Sequence, residues 1–350
     1  MAVPVISRLT RTAPGLRPLL DYNFAHNFQH DFLAGLSVAA VALPVAVAYA
    51  ELAGFNPVVG LYSSILPLVA YAIFGTSRQL MVNPDAATCA MIAAAIAPLA
   101  GGDDAVYLSL SIALTFFTGI LCILASFFRL GVLADFLSKP ILVGFLNGVA
   151  ISILLGQFGK LLGFSVEAGG IVPRLLEILT KLPQTHGLTL SVAAGSSLIL
   201  LLSPRYLPRL PAALIALVAA GGIAALLGLD AKGVAILGSV PPGLPHLRWP
   251  AFPAEDLPSL IAQAAGLSLV LFTSGTLTAR SFAAKGRYDI DVDRELAAYG
   301  VANLASALSQ GFAVTGADSR TAMAVTAGGR TQVTGLVAAA AHLSNPASGP

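Results

Sequence analysis

The chain has 350 residues, of which 56% are hydrophobic and only 10% charged, with a mean hydropathy of +0.83. A water-soluble globular domain of this make-up would lack the polar residues to cover its surface, so the sequence reads as a polytopic membrane protein. The net charge of +2 leaves no basic cluster once the arginines are assigned to loops, which excludes nucleic acid as a partner.

Residues 1–30 carry Arg8, Arg11 and Arg17 but no apolar stretch of signal-peptide length, and are read as a cytoplasmic segment. Apolar runs long enough to cross a ~30 Å hydrocarbon core follow at about 31–50, 57–74, 105–128, 139–162, 187–203, 211–228 and 257–279. Shorter or more polar runs lie near 84–97, 291–308, 316–328 and 331–343, for about eleven helical segments in all. Threading them from a cytoplasmic N-terminus puts Arg78, Arg129, Lys139, Arg205, Arg209, Arg280, Lys285, Arg287, Arg294 and Arg330 on the side of the three N-terminal arginines. Lys160, Arg174, Lys181, Lys232 and Arg248 fall opposite, a thirteen to five split in the sense of the positive-inside rule. The stretch 163–186 is expected to be a long outer loop carrying Glu167 and Glu177 beside two of those cations.

Two stretches break the apolar pattern in the same way. Val82-Asn83-Pro84-Asp85-Ala86-Ala87-Thr88 and Val314-Thr315-Gly316-Ala317-Asp318-Ser319-Arg320-Thr321 each run from a short extended piece through a breaker and an acid into a small-residue helix start. Two half-helices beginning this way inside a membrane would turn backbone N–H groups and positive dipole ends toward each other, a geometry that holds an anion. Arg320 lies in the membrane interior, where a charge requires a partner, and Asp85 and Asp318 are in reach of it on this reading. Each acid could instead serve as a helix N-cap. Glu51, at the outer end of the first span, could relay protons or be a solvated helix-end acid.

Elsewhere the sequence argues for absence of catalysis. No nucleophile elbow, Walker loop, dinucleotide fingerprint or zinc-protease motif is present, and no cofactor or metal is implied. Cys89 and Cys122 match no metal or redox spacing, and His26 and His30 have no carboxylate or Cys at ligand distance in sequence. The alternating Asp289, Asp291, Asp293 and Glu295 miss the calcium-loop pattern and are expected to be solvated.

The run from Asp31-Phe32-Leu33-Ala34-Gly35 through Leu43-Pro44, then Ala48-Tyr49-Ala50-Glu51-Leu52-Ala53-Gly54 and Gly60-Leu61-Tyr62-Ser63-Ser64, resembles the first two spans of the SulP (sulfate permease) anion transporters, relatives of pendrin and prestin. The resemblance continues through Phe74-Gly75-Thr76-Ser77-Arg78-Gln79-Leu80, Asp293-Arg294-Glu295-Leu296 and Gly311-Phe312-Ala313-Val314-Thr315-Gly316. It implies an all-α polytopic fold of two inverted repeats of seven segments, split into core and gate domains, in which segments three and ten are half-helices preceded by short strands. The implied organisation is a first repeat over 31–229, an extracytoplasmic linker over 230–256, a partial second repeat over 257–343 and a non-membrane tail over 344–350. Segments twelve to fourteen and the STAS domain that many members carry have no counterpart here, so the chain reads as truncated and is expected to be poorly stable alone.

The resemblance also implies a substrate site built from Tyr49 of segment one, Asp85, Ala86 and Ala87 of segment three, and Asp318, Ser319 and Arg320 of segment ten. Two departures from the family pattern bear on coupling. Val45 replaces a common Gln, and Phe272-Thr273-Ser274-Gly275-Thr276 lacks the usual acid of segment eight, which disfavours a sodium site. The expected function is secondary active transport of a small anion of the sulfate, bicarbonate or dicarboxylate class, coupled to protons through Asp85, Asp318 or Glu51. An uncoupled channel or exchanger, and a non-transporting fragment, are the alternatives. A homodimer in a cell inner (plasma) membrane is the implied setting.

Overall fold

The computed structural model describes residues 13–132, 147, 151, 154–155, 157–166, 171–207, 212–235, 247–251 and 256–343. The expectations for Arg8, Arg11, Lys139, Glu167, Arg209 and the tail 344–350, and for much of the span 139–162 and the linker 230–256, lie outside the described residues. The chain divides into two compact units, Met1–Leu142 with Pro241–Pro350, and Val143–Val240.

In the first unit a short helix α1 (Leu16–Leu20) precedes α2 (Phe24–Leu52), the first span, which begins about two turns earlier than the apolar run indicated. Asn23 makes that earlier start possible, its side chain accepting the His26 amide at 3.3 Å. After Gly54, at φ +84°, Asn56 caps the next helix by accepting the Val58 amide, with Pro57 at the first helical position. The second span is broken into α3 (Pro57–Tyr62) and α4 (Leu66–Phe74). At the break, Ser63 donates to the Val59 carbonyl and accepts the Phe312 amide, both at 2.8 Å, so the interruption anchors a distant part of the chain.

Strand β1 (Val82–Asn83) leads into α5 (Ala86–Ala100), which ends at Gly101 in the left-handed region. Helix α6 (Asp104–Phe127) follows, capped by Asp103. Helices α5 and α6 match the apolar runs expected near 84–97 and 105–128.

The second unit holds the helical residues 157–162, an amphipathic helix α7 (Ile171–Lys181), α8 (Gly187–Tyr206) and α9 (Ala212–Leu227). The expected loop over 163–186 therefore contains a helix. Its Val172, Leu175, Leu176 and Leu179 are exposed on one side, and Lys181 bonds Glu177 one turn back at 2.7 Å. The residues Val172–Gln184 and Gly187–Ser203 are bent by 115°.

The chain returns to the first unit in α10 (Leu257–Gly286) and α11 (Val292–Leu308), then strand β2 (Thr315–Gly316), α12 (Asp318–Thr326) and α13 (Val333–Leu343). Helices α6 and α11 cross at paired glycines. A Cβ on Gly119 would stand 2.8 Å from the Gly300 carbonyl oxygen, and one on Gly300 would stand 2.7 Å from that of Gly119. Only small residues permit this approach, as in other membrane helix crossings. Among the described residues, the helical stretches Phe24–Leu52, Pro57–Phe74, Asp104–Phe127 and Leu257–Gly286 are long and apolar enough to cross a membrane.

Strands β1 and β2 pair antiparallel, Val82 opposite Gly316 and Asn83 opposite Thr315. Buried strand backbone needs hydrogen-bond partners, and two short breaks that lie side by side supply them to each other. The pairing therefore fixes where the helices after the breaks begin.

Candidate functional site

The two breaks are stitched together beyond the strands. Ala317 donates its amide to the Met81 carbonyl at 2.9 Å, and the Met81 amide donates to the Thr321 hydroxyl at 3.0 Å. This brings the N-termini of α5 and α12 to one place. Asp85, half-buried, caps α5 by accepting the Thr88 amide at 2.9 Å, with Ala86 and Ala87 forming the first turn.

Asp318 and Ser319 are exposed in the first turn of α12, while Arg320 beside them is 3% exposed. The Arg320 guanidinium lies 5.0 Å over the Tyr49 ring of α2, a cation–π arrangement. Its Nη1 reaches only a long 3.5 Å contact with the Ser319 hydroxyl, and Nε and Nη2 are buried with no hydrogen-bond partner.

Asp318 is held elsewhere. Thr278 of α10 donates its hydroxyl to the Asp318 carboxylate at 2.5 Å. The contact falls two residues beyond the stretch Phe272–Thr276, which lacks an acid. Glu51 is exposed in the last turn of α2.

Sequence reasoning missed two polar residues here. Thr278 is one; Asn83 is the other, fully buried in β1 with both amide atoms unpartnered. A polar amide beside a proline in an apolar run was the signal for Asn83, whereas Thr278 sits among other helical hydroxyls that mostly bond their own backbone, as Thr273 does.

The expectation of a solvated Glu295 is corrected by the structure. Glu295 is fully buried and accepts the Tyr71 hydroxyl at 2.5 Å, the Thr76 amide at 2.7 Å, the Thr76 hydroxyl at 2.5 Å and the Ser77 amide at 2.9 Å. Asp31, also fully buried, accepts the Arg330 and Thr331 amides at 2.6 and 3.0 Å and the Thr331 and Thr334 hydroxyls at 2.7 and 3.0 Å. Burial beside Asp31 pushes the Tyr22 phenol up to about 12. One carboxylate fixes the chain leading into β1 and the other fixes the chain leaving α12. Gln79 and Gln332 tie those two segments together, donating to Gly329 O at 2.8 Å and to Ser77 O at 2.9 Å.

Cys89 and Cys122 are buried in apolar helices, and among the described residues no group of three His, Cys, Asp or Glu could hold a metal. The arrangement offers donors to an anion: two guanidinium nitrogens, an amide and two helix N-termini.

These features define a helical membrane protein whose two broken spans meet at their N-termini. The family model described as "Sulfate permease family" matches residues 28–345, and the chain belongs to that family. It is 42% identical over 326 residues to "Probable sulfate transporter MT1781" of Mycobacterium tuberculosis (strain CDC 1551 / Oshkosh), covering 93% of this chain and 58% of that protein. With "Solute carrier family 26 member 10" of Mus musculus it shares 30% identity, covering 95% of this chain and 52% of the other. The chain thus spans little more than half the length of these relatives.

Among solved structures, the transmembrane domain of the cyanobacterium bicarbonate transporter BicA superposes with a TM-score of 0.82 at 26% identity, over 91% of this chain and 82% of that one. The overall structure of SLC26A9 gives a TM-score of 0.89 at 24% identity, over 98% of this chain and 57% of that one, a likeness of fold. The all-α transporter fold expected from the sequence is the fold found.

Proposed function

We propose that the complete protein is a secondary active transporter of a small anion, binding it between the N-termini of α5 and α12. The observation that carries this reading is Arg320: a buried guanidinium with two unpartnered nitrogens, at a helix start, in a membrane protein. A buried charge without a full set of partners costs several kcal/mol. A bound oxyanion would remove that cost, with Asn83, Ser319 and the amides of Ala86 and Ala87 as further donors and Tyr49 as the wall behind the guanidinium. Sulfate and bicarbonate, named for the relatives above, and dicarboxylates fit this donor set.

Alternating access would move the site as part of a core against a gate, with repeats over 31–229 and from 257 onward. Proton coupling would run through Asp85 or Asp318, with Glu51 as an outer relay. The setting is an inner membrane with a cytoplasmic N-terminus, and the assembly is a homodimer. A second reading, anion exchange without protons, is favoured by one observation. Both site acids already serve as acceptors, from the Thr88 amide and the Thr278 hydroxyl, roles an ionised carboxylate fills.

Uptake of labelled sulfate, bicarbonate and oxalate into proteoliposomes by the full-length reading frame, with and without an imposed pH gradient, tests both. Uptake of none of them would end the transport reading. Uptake indifferent to the gradient would select exchange.

A further inference from the structure

Four arginines gather at a cavity that Arg320 does not line. The cavity, of about 680 Å³, is walled by α1, the loop after α4, the first turn of α11 and the turn before α13. Arg17, Arg78, Arg294 and Arg330 line it, one from each of these separate segments. Positive-inside topology requires cations on one side of the membrane but not their convergence on one hollow.

None of the four guanidiniums is used up. Arg17 stands 3.9 Å from Asp21 with both side chains more than 70% exposed, a surface pair of little strength. Arg294 uses Nε for Asp291 at 3.1 Å. Arg78 lies 5.1 Å over the Tyr288 ring, which engages its face and leaves its edge N–H groups for an acceptor. Arg330 is steadied by Nη1, which donates to the His26 carbonyl at 3.2 Å and the Asn27 side-chain oxygen at 3.3 Å.

We propose that this cavity binds a phosphate-bearing ligand, at a site separate from that of Arg320. Three aspartates, Asp21, Asp289 and Asp291, share the lining with the four arginines. A monovalent anion would gain little from so small an excess of positive charge, whereas a polyvalent one engages several forks at once, and planar guanidinium matches phosphate oxygens two by two. The volume falls within the range of small-molecule sites. A soluble polyphosphate and an anionic lipid headgroup present the same chemistry. The inference does not rest on the transport reading.

The test measures pyrophosphate binding by calorimetry to the purified full chain, and its thermal stability in phosphatidylcholine vesicles with and without phosphatidylglycerol. Arg78→Gln with Arg294→Gln alters exposed side chains and should leave the ligand-free melting temperature unchanged. Saturable pyrophosphate binding weakened at least tenfold by this pair assigns a soluble ligand. Stabilisation by phosphatidylglycerol alone, lost in the pair, assigns a lipid headgroup. Asp289→Asn should tighten whichever interaction is seen, and Arg320→Gln should leave it intact. Binding to neither probe, or binding unchanged in the double variant, overturns the proposal. Should the pair fail to fold, Asp289→Asn decides alone: unchanged affinity overturns it.

Discussion

Tyr49 presents its ring to the Arg320 guanidinium at a centroid distance of 5.0 Å, so the first span holds in place a cation carried by a half-helix far along the chain. A cation–π contact is worth about 0.5–1 kcal/mol when exposed and about 2 kcal/mol or more when desolvated. Tyr49→Phe, which keeps the ring, should leave anion affinity within about threefold of wild type. Tyr49→Ala should weaken it by roughly tenfold, since about 1.4 kcal/mol corresponds to a factor of ten. Titration of the purified variants with labelled anion distinguishes the two, and equal affinities would remove Tyr49 from the site.

The acids make a prediction about pH. If Asp85 or Asp318 takes up the coupling proton, uptake by the complete protein rises as external pH falls, because protonation removes a negative charge that opposes the incoming anion. Asp85→Asn or Asp318→Asn should then flatten the profile while leaving binding possible. Initial rates between pH 5 and 8 decide it. Wild-type profiles in both variants would place the reading with uncoupled exchange.

Glu295 should matter for stability well beyond one ordinary surface acid. Its two oxygens receive four donors from Tyr71, Thr76 and Ser77, and removing them leaves buried N–H and O–H groups without partners, at about 1–3 kcal/mol each. We expect Glu295→Ala to cost at least about 3 kcal/mol and Tyr71→Phe about 1 kcal/mol. Denaturation in mild detergent provides the readout; a Glu295→Ala protein as stable as wild type would contradict the clamp.

Glycines give a matched pair of controls. Gly119→Ala pushes a methyl into the Gly300 backbone and should destabilise by about 1–3 kcal/mol. Gly266→Ala in α10 meets nothing within 4 Å and should be neutral or slightly stabilising, because Ala is the better helix former. The same melting assay separates them.

The broken spans were legible because Pro84, Gly316 and the neighbouring polar residues punctuate apolar sequence, and little else in a membrane protein produces that pattern. The antiparallel pairing of the two breaks was not read from the sequence; the fold supplies it, and it gives the buried strand backbone its partners. Glu295 was not legible. It ends a run in which Asp289 and Asp291 are exposed, and only the fold reveals that one turn into α11 the side chain faces Thr76 rather than water. Helix α7 escaped notice because its apolar residues follow helical spacing over too short a stretch to resemble a span. The hydroxyl of Thr278 was hidden by chemistry: a helical threonine usually bonds its own backbone, and the Ser274 carbonyl does lie 3.0 Å from the Thr278 hydroxyl, but its single proton goes to the closer Asp318 carboxylate at 2.5 Å.

The central claim is that the unpartnered nitrogens of Arg320 hold the anion. Equilibrium binding of labelled sulfate and bicarbonate to the purified protein, wild type beside Arg320→Gln, measures it most directly. The account predicts saturable binding of at least one of them by wild type and a loss of at least tenfold in the variant, with the Arg78→Gln and Arg294→Gln protein unaffected. Equal affinity of wild type and Arg320→Gln for every anion bound would contradict it.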